Sequence, residues 1–390
     1  MPQPSEECAR NEFAQGLLDP ADRDPEAARR VDDWLELQRQ LCFEPVLACR
    51  LLECMRGDPA AVLSSRGVPG RLGVEPRAAE RRTLTRLGAT LVPCTAGAYP
   101  APLRALPDPP LLLGVRGEAS ALARSAVAIV GARAATTYGT SLAYELGAEL
   151  ARAGLVVVSG LARGVDAAAH RGALAAGGKT VAVLACGLDR IYPPEHRDLA
   201  LRIAGQGAVA SELPLGAEPR RVHFPMRNRI ISGLCLGVVV VEARARSGSL
   251  ITARHALDQG RDVLAVPGPV TAPTSAGPNA LLRDGARPVL EVGDVLEQIG
   301  WMGGATACGA PAAPRQRRAW TPDERRVLDR LRDAPATRDE LVRTLGLAAG
   351  ELAALLSVLE LDGALVEDRD GRLRLRPGGF PRTATGRKRG

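Results

Sequence analysis

From Ala126 onward the hydrophobic positions fall into short, unbroken runs rich in β-branched residues: Val127–Val130, Leu155–Val158, Val181–Leu184, Val238–Val241 and Val263–Val266. Between them lie segments long enough for crossover helices, such as Ser141–Arg152 and Leu250–Gln259. A strand with one wet face alternates apolar and polar residues, whereas a run apolar throughout belongs to a strand covered on both faces. The pattern therefore predicts an α/β fold, a parallel doubly wound sheet with helices on each side. Such sheets bind ligands in the loops beyond the carboxyl ends of their strands, so those loops carry the candidate chemistry.

The flanking segments read differently. Residues 30–60 place Leu35, Leu41, Val46 and Leu51 at helical spacing, and residues 78–87 suggest another short helix. The turn Gly67-Val68-Pro69-Gly70 has the form of a helix-hairpin-helix or SAM-like module, and an ordinary inter-helix turn fits it as well. A proline-rich connector runs from Tyr99 to Pro110, and Gly303 to Pro314 has linker composition. Thr321-Pro322-Asp323-Glu324 and Thr337-Arg338-Asp339-Glu340 are capping boxes, the first with proline opening the helix. A third helix over Ala349–Leu361 stops at Asp362-Gly363, and Ala364–Glu367 with Leu373–Leu375 bracket Asp370-Gly371 as a hairpin. That order predicts a winged helix. The expected organisation is a small helical region over 1–98, the α/β core over 99–300, a linker over 301–318, a winged-helix domain over 319–376 and a basic tail over 377–390.

Composition trims the function classes. At 390 residues with 46% apolar content, the chain should form more than one packed domain. No stretch nears the roughly 18 apolar residues a membrane helix needs, and the start lacks a secretory pattern. The eight cysteines include no C-x-x-C pair, and the four histidines are scattered, so a metal site has no support and free thiols in the cytoplasm are expected. The net charge of +7 comes almost wholly from arginine, Lys179 and Lys388 being the only lysines. A GC-rich genome would impose the same bias. Local clustering has to decide.

The loop after the first core run, Gly131-Ala132-Arg133-Ala134-Ala135-Thr136, puts Arg133 where a dinucleotide fold needs its second glycine. A guanidinium can reach out to a phosphate there, so dinucleotide binding is disfavoured. The segment Ala173 to Thr180 ends in Gly178-Lys179-Thr180 but lacks the first glycine of a nucleotide-triphosphate loop, and it runs helix-loop-strand. The most distinctive feature is Arg220-Arg221-Val222-His223-Phe224-Pro225-Met226-Arg227-Asn228-Arg229, four arginines around one Phe with no acid between Glu218 and Glu242. Guanidinium groups for phosphates and a flat ring for an unstacked base are what single-stranded nucleic acid requires. A solvated arginine face with Phe224 plugging the core is the alternative. Ser247-Gly248-Ser249 opens a helix and could cradle an anion or simply cap it. His170 on an Ala-rich helix reads as a packing residue, and no catalytic constellation emerges.

The chain from about Tyr99 to Gly300 resembles the DprA/Smf family, whose core is an extended Rossmann-like fold. The resemblance runs through Gly131-x-Arg133-x-x-Thr136-x-Tyr138-Gly139, Ser159-Gly160-x-Ala162-x-Gly164-x-Asp166 and Gly187-Leu188-Asp189-x-x-Tyr192-Pro193. It continues through Ser211-Glu212-x-Pro214, Phe224-Pro225-x-Arg227-Asn228-Arg229-Ile230-Ile231, Val241-Glu242-Ala243, Ser247-Gly248-Ser249-Leu250-Ile251-Thr252-Ala253 and Ala265-Val266-Pro267-Gly268. His196 departs from the pattern, where Asn often follows the Tyr-Pro. The resemblance implies single-stranded-DNA binding, a homodimer through the Rossmann-like core, and loading of RecA recombinase on incoming DNA during transformation, without cofactor or catalysis. It maps the DNA pocket to Arg133, Arg221, Phe224 and Asn228. Joined to the loops above, the expected DNA-binding set is Gly131, Arg133, Thr136, Ser159, Gly160, Arg220, Arg221, Phe224, Arg227, Asn228, Arg229, Ser247, Gly248 and Ser249.

An enzyme of the related phosphoribohydrolase kind is the rival, but its Pro-Gly-Gly-x-Gly-Thr loop has only Pro267-Gly268-Pro269-Val270 as counterpart. A duplex-reading regulator is also disfavoured. The third helix of the winged-helix segment has two acids and no base, which duplex phosphates would repel.

Overall fold

The computed structural model describes residues 17–20, 24–65, 75–301, 320–361, 364–368 and 371–375. The chain divides into two compact units, residues 1–305 and 306–390. The turn at Gly67–Gly70, the linker from Gly303, Asp362-Gly363, Asp370 and the arginines of the tail lie outside the described residues.

The first unit opens with helices α1 (Pro25–Leu41), α2 (Pro45–Cys54), α3 (Pro59–Ser64) and α4 (Glu75–Leu87). Three of them start on a proline behind the acidic residues Asp24, Glu44 and Asp58, and the Asp24 and Asp58 side chains accept backbone N–H bonds as caps. Next come β1 (Ala89–Pro93), the short α5 (Ala101–Arg104), β2 (Leu112–Gly117), β3 (Ala126–Val130), α6 (Thr137–Arg152), β4 (Val156–Ser159), α7 (Val165–Ala175) and β5 (Thr180–Val183). They are followed by α8 (Arg197–Gln206), β6 (Ala208–Ser211), α9 (His223–Gly233), β7 (Gly237–Val240), α10 (Gly248–Asp258), β8 (Asp262–Ala265), α11 (Ala276–Arg283), β9 (Arg287–Pro288) and α12 (Val292–Gln298).

All nine strands form one sheet in the order β1-β2-β6-β5-β4-β3-β7-β8-β9. From β6 to β9 every pairing is parallel, while β1, β2 and β6 pair antiparallel. Side chains of β3 show why the runs are apolar throughout. Ala126, Ala128 and Val130 face one core with Ile230 and Ile231 of α9, and Val127 and Ile129 face the other with Leu146 of α6. The chain leaves β3 to build β4, β5 and β6 on one side, then returns with β7 on the other. The β3/β7 border is therefore the switch point, where loops after two adjacent strands diverge and leave a cleft.

The sheet extends past the expected break at 98/99. β1 lies before it and pairs with β2 beyond it, and Leu37, Leu52 and Leu84 of the leading helices pack on Leu91 and Leu112. Gln38 Nε2 donates to the Glu212 carbonyl at 2.7 Å, fastening α1 to the end of β6.

The second unit holds α13 (Pro322–Asp333), α14 (Arg338–Leu345) and α15 (Ala349–Leu361), then β10 (Leu365–Glu367) paired antiparallel with β11 (Leu373–Leu375). Both capping boxes form, Thr321 with Glu324 and Thr337 with Glu340. Leu352, Leu356 and Leu359 of α15 are buried against Leu328 and Leu341, while Glu351, Ala353, Ala354 and Val358 face outward. Among the described side chains, the exposed face of α15 is thus small, apolar and acidic, a poor partner for duplex phosphates. Ending the chain near Gly303 should leave single-strand affinity within about threefold, roughly 0.65 kcal/mol. Titration of a labelled oligonucleotide with full-length and shortened protein checks this; a tenfold loss would give the second unit a direct DNA role.

Candidate nucleic-acid interface

Three loops meet at the β3/β7 switch point. Thr136 caps α6, its Oγ1 accepting from the Gly139 N–H at 3.0 Å. Its own N–H and hydroxyl donate to the Glu242 carboxylate at 2.8 and 2.6 Å, which ties the β3 loop to the β7 loop. Gly139 lies directly under that carboxylate, and a side chain there would collide with it. Both donors of Thr136 are therefore already engaged.

Behind this tie sits a buried guanidinium. Arg227 Nη1 donates to the carbonyls of Gly160 (2.7 Å) and Val183 (2.5 Å), and its Nε donates to Asn228 Oδ1 at 3.1 Å. Gly160 has to be glycine because a Cβ would occupy the Arg227 guanidinium. Asp166 accepts from the Gly160 N–H at 3.1 Å. Burial pushes the Asp166 carboxyl up and Arg227 pulls it back, while burial brings Arg227 down to about 10 against the pull of Asp166. Ser159 is fully buried, donating to the Ile129 carbonyl at 2.6 Å. Asn228 Nδ2 donates to the Gly248 carbonyl at 3.2 Å and so locks α9 to the start of α10, which Ser247 caps through the Ser249 N–H.

On the open side the Arg133 guanidinium lies over the Phe224 ring, 4.9 Å from its centroid. Tyr192 meets the same ring edge-on, with centroids 5.9 Å apart and planes at 68°. Arg244 and Arg246, exposed in the β7 loop, complete the wall of a cavity of about 320 Å³. Among the described residues none of Arg133, Arg221, Arg244 and Arg246 takes part in an ion pair. The cavity can thus offer unpaired cations and an aromatic wall. Asp166 is its one lining carboxylate, already held by backbone N–H groups.

Gly131, Arg133, Phe224, Arg227, Asn228, Ser247, Gly248 and Ser249 all line this cavity. Arg220 and Arg221 are exposed just before α9 without lining it, and Thr136, Ser159 and Gly160 stand behind it as framework. Arg229 belongs elsewhere. Its Nη2 donates to Glu212 Oε2 at 2.6 Å and its Nε pairs with Asp108 at 3.1 Å, both away from the cavity. Burial pushes the Glu212 carboxyl up to about 7, and Arg229 opposes that shift. The segment is not the basic loop the arginine pattern suggests, because from His223 it is a helix buried on nearly every side, and buried cations must be partnered. Arg244, Arg246 and Tyr192 were not in the expected set. The first two alternate with alanine directly after a predicted strand, a position that could have flagged them. His170 is a neutral packing residue, held by burial near pKa 3 and hydrogen-bonded to Thr180 at 2.7 Å.

The model of the DNA recombination-mediator protein A family matches residues 90–300, and the DprA winged-helix model matches 311–371. Protein Smf of Escherichia coli is 41% identical over 298 residues, covering 73% of this chain and 77% of its own length. The chain belongs to the DNA recombination-mediator protein A (DprA/Smf) family. The DNA processing protein DprA of Bacillus subtilis is 42% identical over 54% of this chain and 72% of its own length. The DprA crystal structure from Streptococcus pneumoniae superposes with a TM-score of 0.56 at 35% identity, over 70% of this chain and 96% of that one. The Rossmann-like core of this DprA/Smf member and its winged-helix domain are thereby accounted for.

Removing Arg229 strands a buried carboxylate, so Arg229→Ala should cost about 3–5 kcal/mol of stability. Arg133→Ala and Arg221→Ala remove exposed groups and should stay within about 0.5 kcal/mol. Urea denaturation of the three variants checks the contrast; equal stability for Arg229→Ala would mean that the Glu212 pair is not structural.

Proposed function

We propose that the switch-point cleft holds a segment of single-stranded DNA irrespective of sequence, and that the protein passes this strand to a RecA-type recombinase in the cytoplasm. The observation that carries the reading is the set of unpaired arginines, Arg133, Arg244 and Arg246 lining a cavity walled by Phe224 and Arg221 exposed outside it just before α9. Phosphates need the cations, and bases of any identity accept a π-surface. Membership of a recombination-mediator family supports the hand-over step. Self-association through the core is part of the same reading. The groove of about 1050 Å³ between α10 and α11, where Ile251, Leu257 and Leu281 lie among Arg254, Asp284 and Arg287, offers a mixed apolar and charged surface for it.

The protein acts here as a binder and not as an enzyme. The carboxylate lining the cavity, Asp166, accepts backbone N–H bonds from Gly160 and Ala162 at one oxygen, and the loop at Pro267–Val270 lacks the glycines and acid of the phosphoribohydrolases. No helix of the described residues is long and apolar enough to cross a membrane.

Four arginines contacting phosphates give a slope of about −2.8 in log K against log salt, or about 50-fold weaker binding from 50 to 200 mM. Arg133→Ala and Arg221→Ala should each reduce the slope by about 0.7. Fluorescence anisotropy with single- and double-stranded oligonucleotides tests this, and a flat salt response or a preference for duplex would count against the reading. Incubation with ATP or nucleoside monophosphates should release neither phosphate nor free base. Release abolished by Arg133→Ala would restore the enzymatic alternative.

A further inference from the structure

The thiols of the first unit are not alike. Cys42, Cys186 and Cys235 are buried, and burial pushes the Cys42 and Cys186 thiols up to about 12 and about 11, which keeps them protonated and inert. Cys49 and Cys94 are half-buried and hydrogen-bonded to each other through their side chains. Each is fixed by its own element. Cys49 lies on α2 with Ala48 and Leu52, which are buried in the core that Leu91 of β1 shares, and Cys94 packs against that core. Cys94 directly follows β1, and its N–H donates to the Leu111 carbonyl at 3.0 Å. Both thiols line one cavity of about 520 Å³, with Arg50, Glu53, Arg56 and Arg104 as its charged lining residues. The pair is also polarised. The bond from Cys94 is the chief influence that holds the Cys49 thiol below its usual range, against burial and Glu53, so Cys49 is the side that ionises. That same bond, and then burial, hold Cys94 high.

We propose that Cys49 and Cys94 form a reversible disulfide, made by exchange with a low-molecular-weight disulfide of the glutathione type that enters this cavity. The Cys49 thiolate attacks one sulfur of the small disulfide, whose S–S bond breaks, and one small thiolate leaves and takes up a proton. Capping Cys49 removes the hydrogen bond that chiefly held Cys94 protonated. Cys94 then gives its proton to water, and its thiolate attacks Cys49 Sγ and expels the second small thiolate, which is protonated in turn. The two protein thiols are oxidised by two electrons, and the small disulfide is reduced to two thiols. Arg50, Arg56 and Arg104 favour an anionic peptide disulfide over a neutral one. The product ties α2 to the end of β1 and closes the chain around α3 and α4, so the oxidised protein should resist unfolding more than the reduced one. The cavity shares no lining residue with the switch-point cleft, and the inference stands apart from the reading of that cleft.

The test incubates the reduced full-length protein with glutathione disulfide, alkylates the remaining thiols, and maps the digest by mass spectrometry without reductant. The expected product is a pair of peptides joined through Cys49 and Cys94 and separated again by dithiothreitol, with a rise in melting temperature that the reductant reverses. Cys94→Ser should stop the reaction at a glutathione adduct on Cys49. Cys49→Ser should leave Cys94 at least about tenfold slower to react than Cys49 is in the wild-type protein. Recovery of Cys49 and Cys94 as free thiols in the wild-type protein, while exposed Cys54 carries glutathione, overturns the proposal. A Cys94 adduct that forms in Cys49→Ser as fast as the wild-type link overturns the assignment of Cys49 as the attacking thiol.

Discussion

A guanidinium taken out of water is tolerated only where its donors find acceptors, and the placement of Arg227 meets that condition through two carbonyls, an amide oxygen and the nearby charge of Asp166. Those partners come from different elements around the strand ends. Gly160 follows β4, Val183 ends β5, and Asn228 reaches across to Gly248 at the start of α10. The cation thus fixes the height and roll of α9 above the strand ends. Phe224 sits one turn earlier on the same helix, so the ring that carries Arg133 is positioned by a residue whose Nη1 and Nε are already engaged inside the framework. A substitution at Arg227 would disturb the cleft by releasing its framework, whatever its effect on charge.

The arginines named for the expected site and the cleft consequently divide into two chemical populations. Arg227 and Arg229 are buried and answered by acceptors or carboxylates, and their role is to hold elements together. Arg133, Arg221, Arg244 and Arg246 are exposed and unanswered, so an approaching polyanion meets them without first breaking an ion pair. The net charge of +7 describes neither group.

Much of this was legible in the sequence. The five apolar runs correspond to β3, β4, β5, β7 and β8, and the two capping boxes mark α13 and α14. β6 escaped because Ala208-Val209-Ala210-Ser211 is short and half alanine, and β1 and β2 because antiparallel additions leave no βαβ spacing to follow. The cluster at Arg220–Arg229 was found as a cluster and misread in part. Sequence proximity cannot say which side of a helix is buried, and the acids that answer Arg229 come from positions 108 and 212, far outside the local window. Thr136, Ser159 and Gly160 stand in the motif because the framework needs them; their donors or space are spent inside it.

The exchange of a glycine for Arg133 at the first loop changes how the fold handles an anion. In a dinucleotide site the second glycine lets backbone N–H groups approach the pyrophosphate, so recognition is short-ranged, rigid and specific to one phosphate geometry. Here Arg133 stands at that position, and the Thr136 N–H is given to Glu242. A guanidinium on a flexible stem reaches farther, tolerates shifts in phosphate position and is screened by salt. Such a site suits a polymer that presents phosphates at variable spacing better than a single small ligand. On the proposed reading the contact stays at the switch point while its chemistry moves from main chain to side chain.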